Sequence, residues 1–165
     1  MQKAVYLVLL FFTSMCWAQD SSFLALVKVD YSSTSGKEDT QFSLDKERHI
    51  FFIESDNKEE LLFYNAFLKE KEESHSAGTI KNVKRIKNTK EQHVYSFEWN
   101  VENSYDAIKS KVFVTLEINE SETTNKESKA KITITNEKDL QLVYKGIILY
   151  YVNPLLFYYC LEKII

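Results

Sequence analysis

Between residues 93 and 149 apolar and polar residues alternate with a period of two, which restricts this part of the chain to strands that put one face on a core. In residues 93–101, Tyr95, Phe97, Trp99 and Val101 share one face, while Ser96, Glu98 and Asn100 share the other. Residues 111–118 repeat the pattern with Val112, Val114, Leu116 and Ile118, Phe113 being the exception. The polar stretch 102–106 between them reads as a hairpin connection. A third segment, 130–136, alternates Ile132 and Ile134 with lysine and threonine. A fourth, 140–149, becomes apolar on both faces, and its Gly146 marks a bulge or a close backbone approach. Together the four predict an antiparallel meander.

Upstream, Phe23, Ala25, Val27, Val29 and Tyr31 alternate in a further strand, residues 32–39 read as a loop, and 48–53 as a second short strand. Asp56 offers a helix N-cap with Glu59 three residues on. Behind it Leu61, Tyr64 and Leu68 recur at helical spacing, joined by Phe63 and Phe67, which predicts a helix over 57–73. Residues 79–90, with Ile80, Val83 and Ile86, are expected to form a distorted strand. Asn153 followed by Pro154 predicts a terminal helix over 155–165, the amide capping and the proline standing where no donor is needed. The expectation is an α+β domain: an antiparallel sheet of about five to seven strands, one face covered by the 57–73 helix and the terminal helix.

The first eighteen residues carry Lys3, an apolar run from Ala4 to Phe12, and small and polar residues up to Ala18. That pattern reads as a cleavable secretory signal rather than a membrane anchor, because the apolar stretch is too short to span comfortably. Removing eighteen residues from 165 leaves 147, the size of one domain, 19–165, able to bury a core of its own. Met15, after Thr13 and Ser14, stands where a lipoprotein signal carries a small residue, so lipid anchoring at Cys16 is not expected. Cys160 is then the one remaining thiol, which excludes an internal disulfide. A signal ending in Ala18–Gln19 ahead of a lysine- and asparagine-rich β domain resembles small exported proteins of Gram-negative envelopes, which implies a periplasmic or extracellular place.

The chain has a net charge of −3, which gives no global attraction toward nucleic acid. Gly36, Gly78 and Gly146 are its only glycines, too few for a phosphate-cradling loop. His49, His75 and His93 are scattered, so neither a metal nor a cofactor is expected. No glycine-flanked serine or cysteine motif marks a nucleophile, and Cys160 lies in an apolar stretch that disfavours the thiolate. Glu98 is the acid to watch, although alternation turns it to solvent.

The leading expectation is therefore an exported, non-catalytic protein that binds a lipophilic ligand or a protein partner. The contact residues would come from Tyr95, Phe97, Trp99, Phe157 and Tyr158. Lys81, Lys84, Arg85 and Lys87, continued by Lys90, form a basic cluster suited either to an anionic surface or to a lysine-protected strand edge. The uncharged stretch 147–161 suits either a sheet cover or a membrane interface, but its Asn153–Pro154 break excludes a spanning helix. Two rivals stand beside this reading. One is a hydrolase in which His49 or His93 meets a carboxylate only in the fold; the other is a structural subunit of an envelope assembly. Asn119, Glu120 and Ser121 form a glycosylation sequon.

Overall fold

The structure, a computed structural model, describes residues 21–40, 50–56, 60–69, 72–104, 106–120, 128–150 and 153–162. Residues 1–18, which include Cys16, and His49, residues 57–59 and Ser121 of the sequon lie outside them.

The alternating segments form strands β1 (Ser21–Thr34), β2 (Lys37–Glu38), β3 (Ile50–Asp56), β4 (Leu61–Lys69), β5 (Glu72–Asn88), β6 (Gln92–Asn103), β7 (Lys109–Asn119), β8 (Lys129–Thr135) and β9 (Gln141–Tyr150). One helix, α1 (Pro154–Glu162), follows. From β3 to β9 each strand pairs antiparallel with the next, and β1 pairs with both β3 and β9. The sheet thereby closes on itself as an eight-stranded up-and-down barrel. The ninth strand, β2, adds a two-residue hairpin to the end of β1 through Ser35 and Gly36, both with positive φ, as a right-twisted tight turn requires.

This architecture overturns the expected α+β sheet with a central helix. Residues 61–69, placed in the 57–73 helix by their spacing, are strand β4, paired with β3 on one side and β5 on the other. Leu61, Phe63 and Asn65 are buried toward the barrel interior, and Leu62, Tyr64 and Ala66 are half-buried on the outer face. A segment apolar on both faces satisfies a period of 3.6 and a period of two equally well, and the decision falls to its neighbours. As a helix it would leave the edges of β3 and β5 unpaired; as a strand it closes the barrel and removes them.

The core fills the barrel. Phe51, Phe63, Tyr95, Leu116, Ile118, Ile132 and Val114 are almost wholly buried, and Phe63 stacks on Phe51 while meeting Phe97 and Trp99 edge-on. Among the described residues, the void between Val27, Phe51, Phe63, Leu116 and their neighbours is about 10 Å³, about the size of one probe sphere and far below that of an organic ligand. The terminal helix closes one end. Asn153 Oδ1 accepts from Leu155 N at 2.9 Å, Pro154 takes the first helical position, and Phe157, Tyr158 and Leu161 bury themselves against the core.

The second half of β5 differs from the rest of the wall. Its pairing with β4 ends at Thr79, so among the described residues Ile80–Asn88 pairs with β6 alone. Register shifts after Lys81 and Arg85, together with a positive φ at Asn82, distort this stretch, as expected from the spacing of its apolar residues.

Candidate ligand site at the barrel mouth

The strand registers put all the loops of one end on the side away from α1. Here β7 starts, β8 ends and β9 starts, and their inward-facing residues lie level with one another. Val112 and Ile134 are buried and Leu142 is half-buried; Leu140, in the β8–β9 turn, is exposed. These four side chains, with Ser110 and Asn136, line a cavity of about 560 Å³. Lys109, Lys111, Lys138 and Glu137 form its rim.

Local chemistry shapes this mouth. Asn136 Oδ1 accepts from Lys138 N at 2.9 Å and Leu140 N at 3.0 Å, and Asp139 has a positive φ, so the turn is held by an asparagine side chain standing in for backbone. Lys109 pairs with Glu102 at 3.2 Å and Lys111 with Glu98 at 2.7 Å, both on the outer wall. Ion pairs at the surface, such as that of Lys109, contribute little to stability. The Lys111 bond holds the Glu98 carboxyl below the ordinary glutamate range. Across the mouth, Asp39 accepts from Ser32 Oγ at 2.5 Å and Thr34 Oγ1 at 2.6 Å, and Asn103 Nδ2 donates to Ser76 Oγ at 3.2 Å. The upper tier is thus polar above an apolar floor. Trp99, paired with Val112, carries a buried indole N–H that meets no acceptor among the described residues.

A second cluster sits at the opposite end, under α1. Glu120 Oε1 accepts from Tyr150 Oη at 2.8 Å and from Tyr158 Oη, while Glu120 Oε2 accepts from Ser128 Oγ at 2.5 Å. The tyrosine hydroxyls lie 2.8 Å apart and, with one proton each, divide their donation between the carboxylate and one another. Burial works to raise the Glu120 pKa, but these donors outweigh it and hold the group below its usual value. Burial, together with the bond to Glu120, drives Tyr150 and Tyr158 far above the tyrosine range; burial beside Glu162 pushes Tyr95 up to about 12. The tyrosines stay neutral donors, and the cluster acts as a latch.

The latch makes a testable pH dependence. A carboxyl depressed in the fold contributes stability above its unfolded value near 4.5 and loses it as pH falls through the lower folded value. His93, stacked on Tyr158 at 4.1 Å, is lowered by burial against the opposing charges of Glu120 and Glu162, so it too costs stability when it protonates below 6.5. Glu120→Gln is expected to lower stability at neutral pH by roughly 1–2 kcal/mol and to flatten the loss on acidification below the carboxylate range, read from urea unfolding at a series of pH values. An unchanged acid profile would remove Glu120 from the latch.

The expected contact residues lie in the interior. Tyr95, Phe97, Trp99, Phe157 and Tyr158 are all buried, the first three on β6 and the last two on the inner face of α1. Lys81, Lys84, Arg85 and Lys87 are exposed on β5, where Arg85 bonds Glu162 at 2.8 Å and Lys87 donates to Gln92 Oε1 at 2.5 Å. His93 has Asn88 Oδ1 as its hydrogen-bond partner at 2.6 Å, not a carboxylate. Cys160 is half-buried on α1. The mouth residues Ser110, Asn136, Leu140 and Leu142 and the latch acid Glu120 escaped the sequence reading, because each stands at a strand end and only the barrel register brings them together. The signal that could have found them is the common ending of three alternating segments at one level.

No family model, curated protein or solved structure matches this chain. Its class follows from architecture: a closed eight-stranded antiparallel barrel, capped by a short helix at one end and hollowed at the other. Barrels of this size have an interior just large enough to be filled by side chains or to hold one small ligand.

Proposed function

We propose that this protein is an exported, non-catalytic barrel that binds one small lipophilic molecule with an anionic end at its mouth. The observation that carries the reading is the cavity of about 560 Å³ with a floor of Val112, Ile134 and Leu142 and a rim of three lysines and Glu137. Its volume falls within the range of small-molecule sites, and an apolar floor with few polar groups is what holds and orients such ligands. The packed interior below it supports placing the ligand at the mouth rather than along the barrel axis. Export rests on the leader at residues 1–18, and recovery of the protein from its host with Gln19 as first residue is the expected result.

The test is displacement of a fluorescent long-chain carboxylate, with the alcohol of the same chain length as competitor. The carboxylate is expected to compete better. Leu140→Glu should weaken both competitors by roughly tenfold or more by placing a charge against the apolar floor. Lys138→Glu should weaken the carboxylate and leave the alcohol unchanged. Equal competition by the two would remove the anionic preference. Absence of probe binding, together with native mass spectra that show no retained small molecule, would sink the ligand reading.

A further inference from the structure

Ile108, Phe113 and Leu140 are exposed toward the mouth, but the larger group of exposed apolar side chains among the described residues stands at the opposite end. On α1, Leu155 is 77% exposed, Leu156 48% and Tyr159 57%, and on the second half of β5 Ile86 is 63% exposed. The helix turns Phe157, Tyr158 and Leu161 into the barrel, so its other face is the one left apolar. Beside it runs the one basic cluster of the sequence. Residues 79–90 hold Lys81, Lys84, Arg85, Lys87 and Lys90 and no acid, in a chain whose net charge is −3. The Arg85–Glu162 bond ties this strand to the last turn of α1.

We propose that this end of the barrel docks on a bilayer surface containing anionic lipid. Leu155, Leu156, Tyr159 and Ile86 enter the interfacial layer and the β5 lysines meet the headgroups. Charge complementarity selects this occupant. A basic edge flanking an apolar, tyrosine-bearing helix face is the arrangement by which monotopic proteins hold an anionic membrane. A second copy of the chain would bring the same cations together. The two register shifts and the positive φ of Asn82 also spoil the edge as a template for an added strand. No helix of the described residues is long and apolar enough to cross a membrane, and docking requires none. The inference is independent of ligand binding at the mouth, which faces away from the bilayer.

Flotation of the protein, as recovered from its host, with vesicles of phosphatidylcholine alone and with added phosphatidylglycerol tests it. Binding to the anionic vesicles is expected, with loss as salt rises and none to neutral vesicles. Replacing Lys81, Lys84 and Lys87 together by alanine should weaken binding on the order of a hundredfold. Leu155→Ser with Leu156→Ser should weaken it roughly tenfold or more through lost apolar burial. All five positions are exposed, so circular dichroism should show the barrel unchanged, and the salt dependence of the unaltered protein stands as a test even if a variant misfolds. Equal flotation with neutral vesicles, no flotation with either, or both variants binding like the parent would overturn the proposal. So would dimerisation in place of vesicle binding, abolished by the leucine changes, which would assign the face to a second copy.

Discussion

Gly146→Ala is expected to cost about 3 kcal/mol or more, at or beyond the upper end of ordinary overpacking, because the added atom meets backbone instead of a movable side chain. Gly146 lies on β9 opposite Val29 of β1, at the seam where the barrel closes. A Cβ there would fall on the carbonyl oxygen of Lys28 and within 3.0 Å of the Val29 Cα. The adjacent register shift in β1, between Val29 and Tyr31, shows how sharply the two strands bend past each other, and glycine is what permits such a bend in a barrel wall. Gly78 makes the same kind of approach to the Asn100 carbonyl, so Gly78→Ala should behave alike. Gly36 is the internal control: a Cβ there meets open space, and only its positive φ resists the change, at about 1 kcal/mol. Urea unfolding of the three variants decides the matter, and equal losses at Gly36 and Gly146 would show that strand separation at the seam is not limiting.

Phe157→Ala should be comparably severe, roughly 3–5 kcal/mol, as for truncation of a buried phenylalanine. Phe157 is fully buried and leans on Tyr150 and Tyr158 at ring separations of 5.5 and 5.4 Å. Its removal leaves a hole under α1 and strips support from the tyrosines that bind Glu120. The cost therefore includes the latch as well as the lost apolar burial, and a double change with Glu120→Gln should be less than additive. Unfolding that stays at the parent value, with α1 newly open to proteolysis, would mean that the barrel stands without its lid.

The strands were largely legible in the chain. Tyr95, Phe97 and Trp99 on β6, and Val112, Val114, Leu116 and Ile118 on β7, turn inward as their alternation requires, and Phe113 is exposed. Asn153–Pro154 marks the start of α1, and Gly146 a close backbone approach. The β4 segment was not legible as a strand. Its apolar residues fit two periods, and the Asp56–Glu59 capping pattern favoured the helical one, whereas Asp56 ends β3. The mouth was invisible for a different reason: Val112 and Ile134 read as unrelated inward positions, and Leu142 was not singled out, until register sets the three side by side.

The sequence by itself determined which faces are apolar, where the chain turns and where its last helix begins, because these depend on periods of two and 3.6 and on the chemistry of single residues. Whether the sheet stays open under helices or closes on itself was decided only by the tertiary structure. Closure depends on β1 reaching β9 across the whole chain, a pairing no local pattern encodes. The mouth cavity and the Glu120 latch follow instead from the registers of β7, β8 and β9, which set strand ends far apart in sequence at one level.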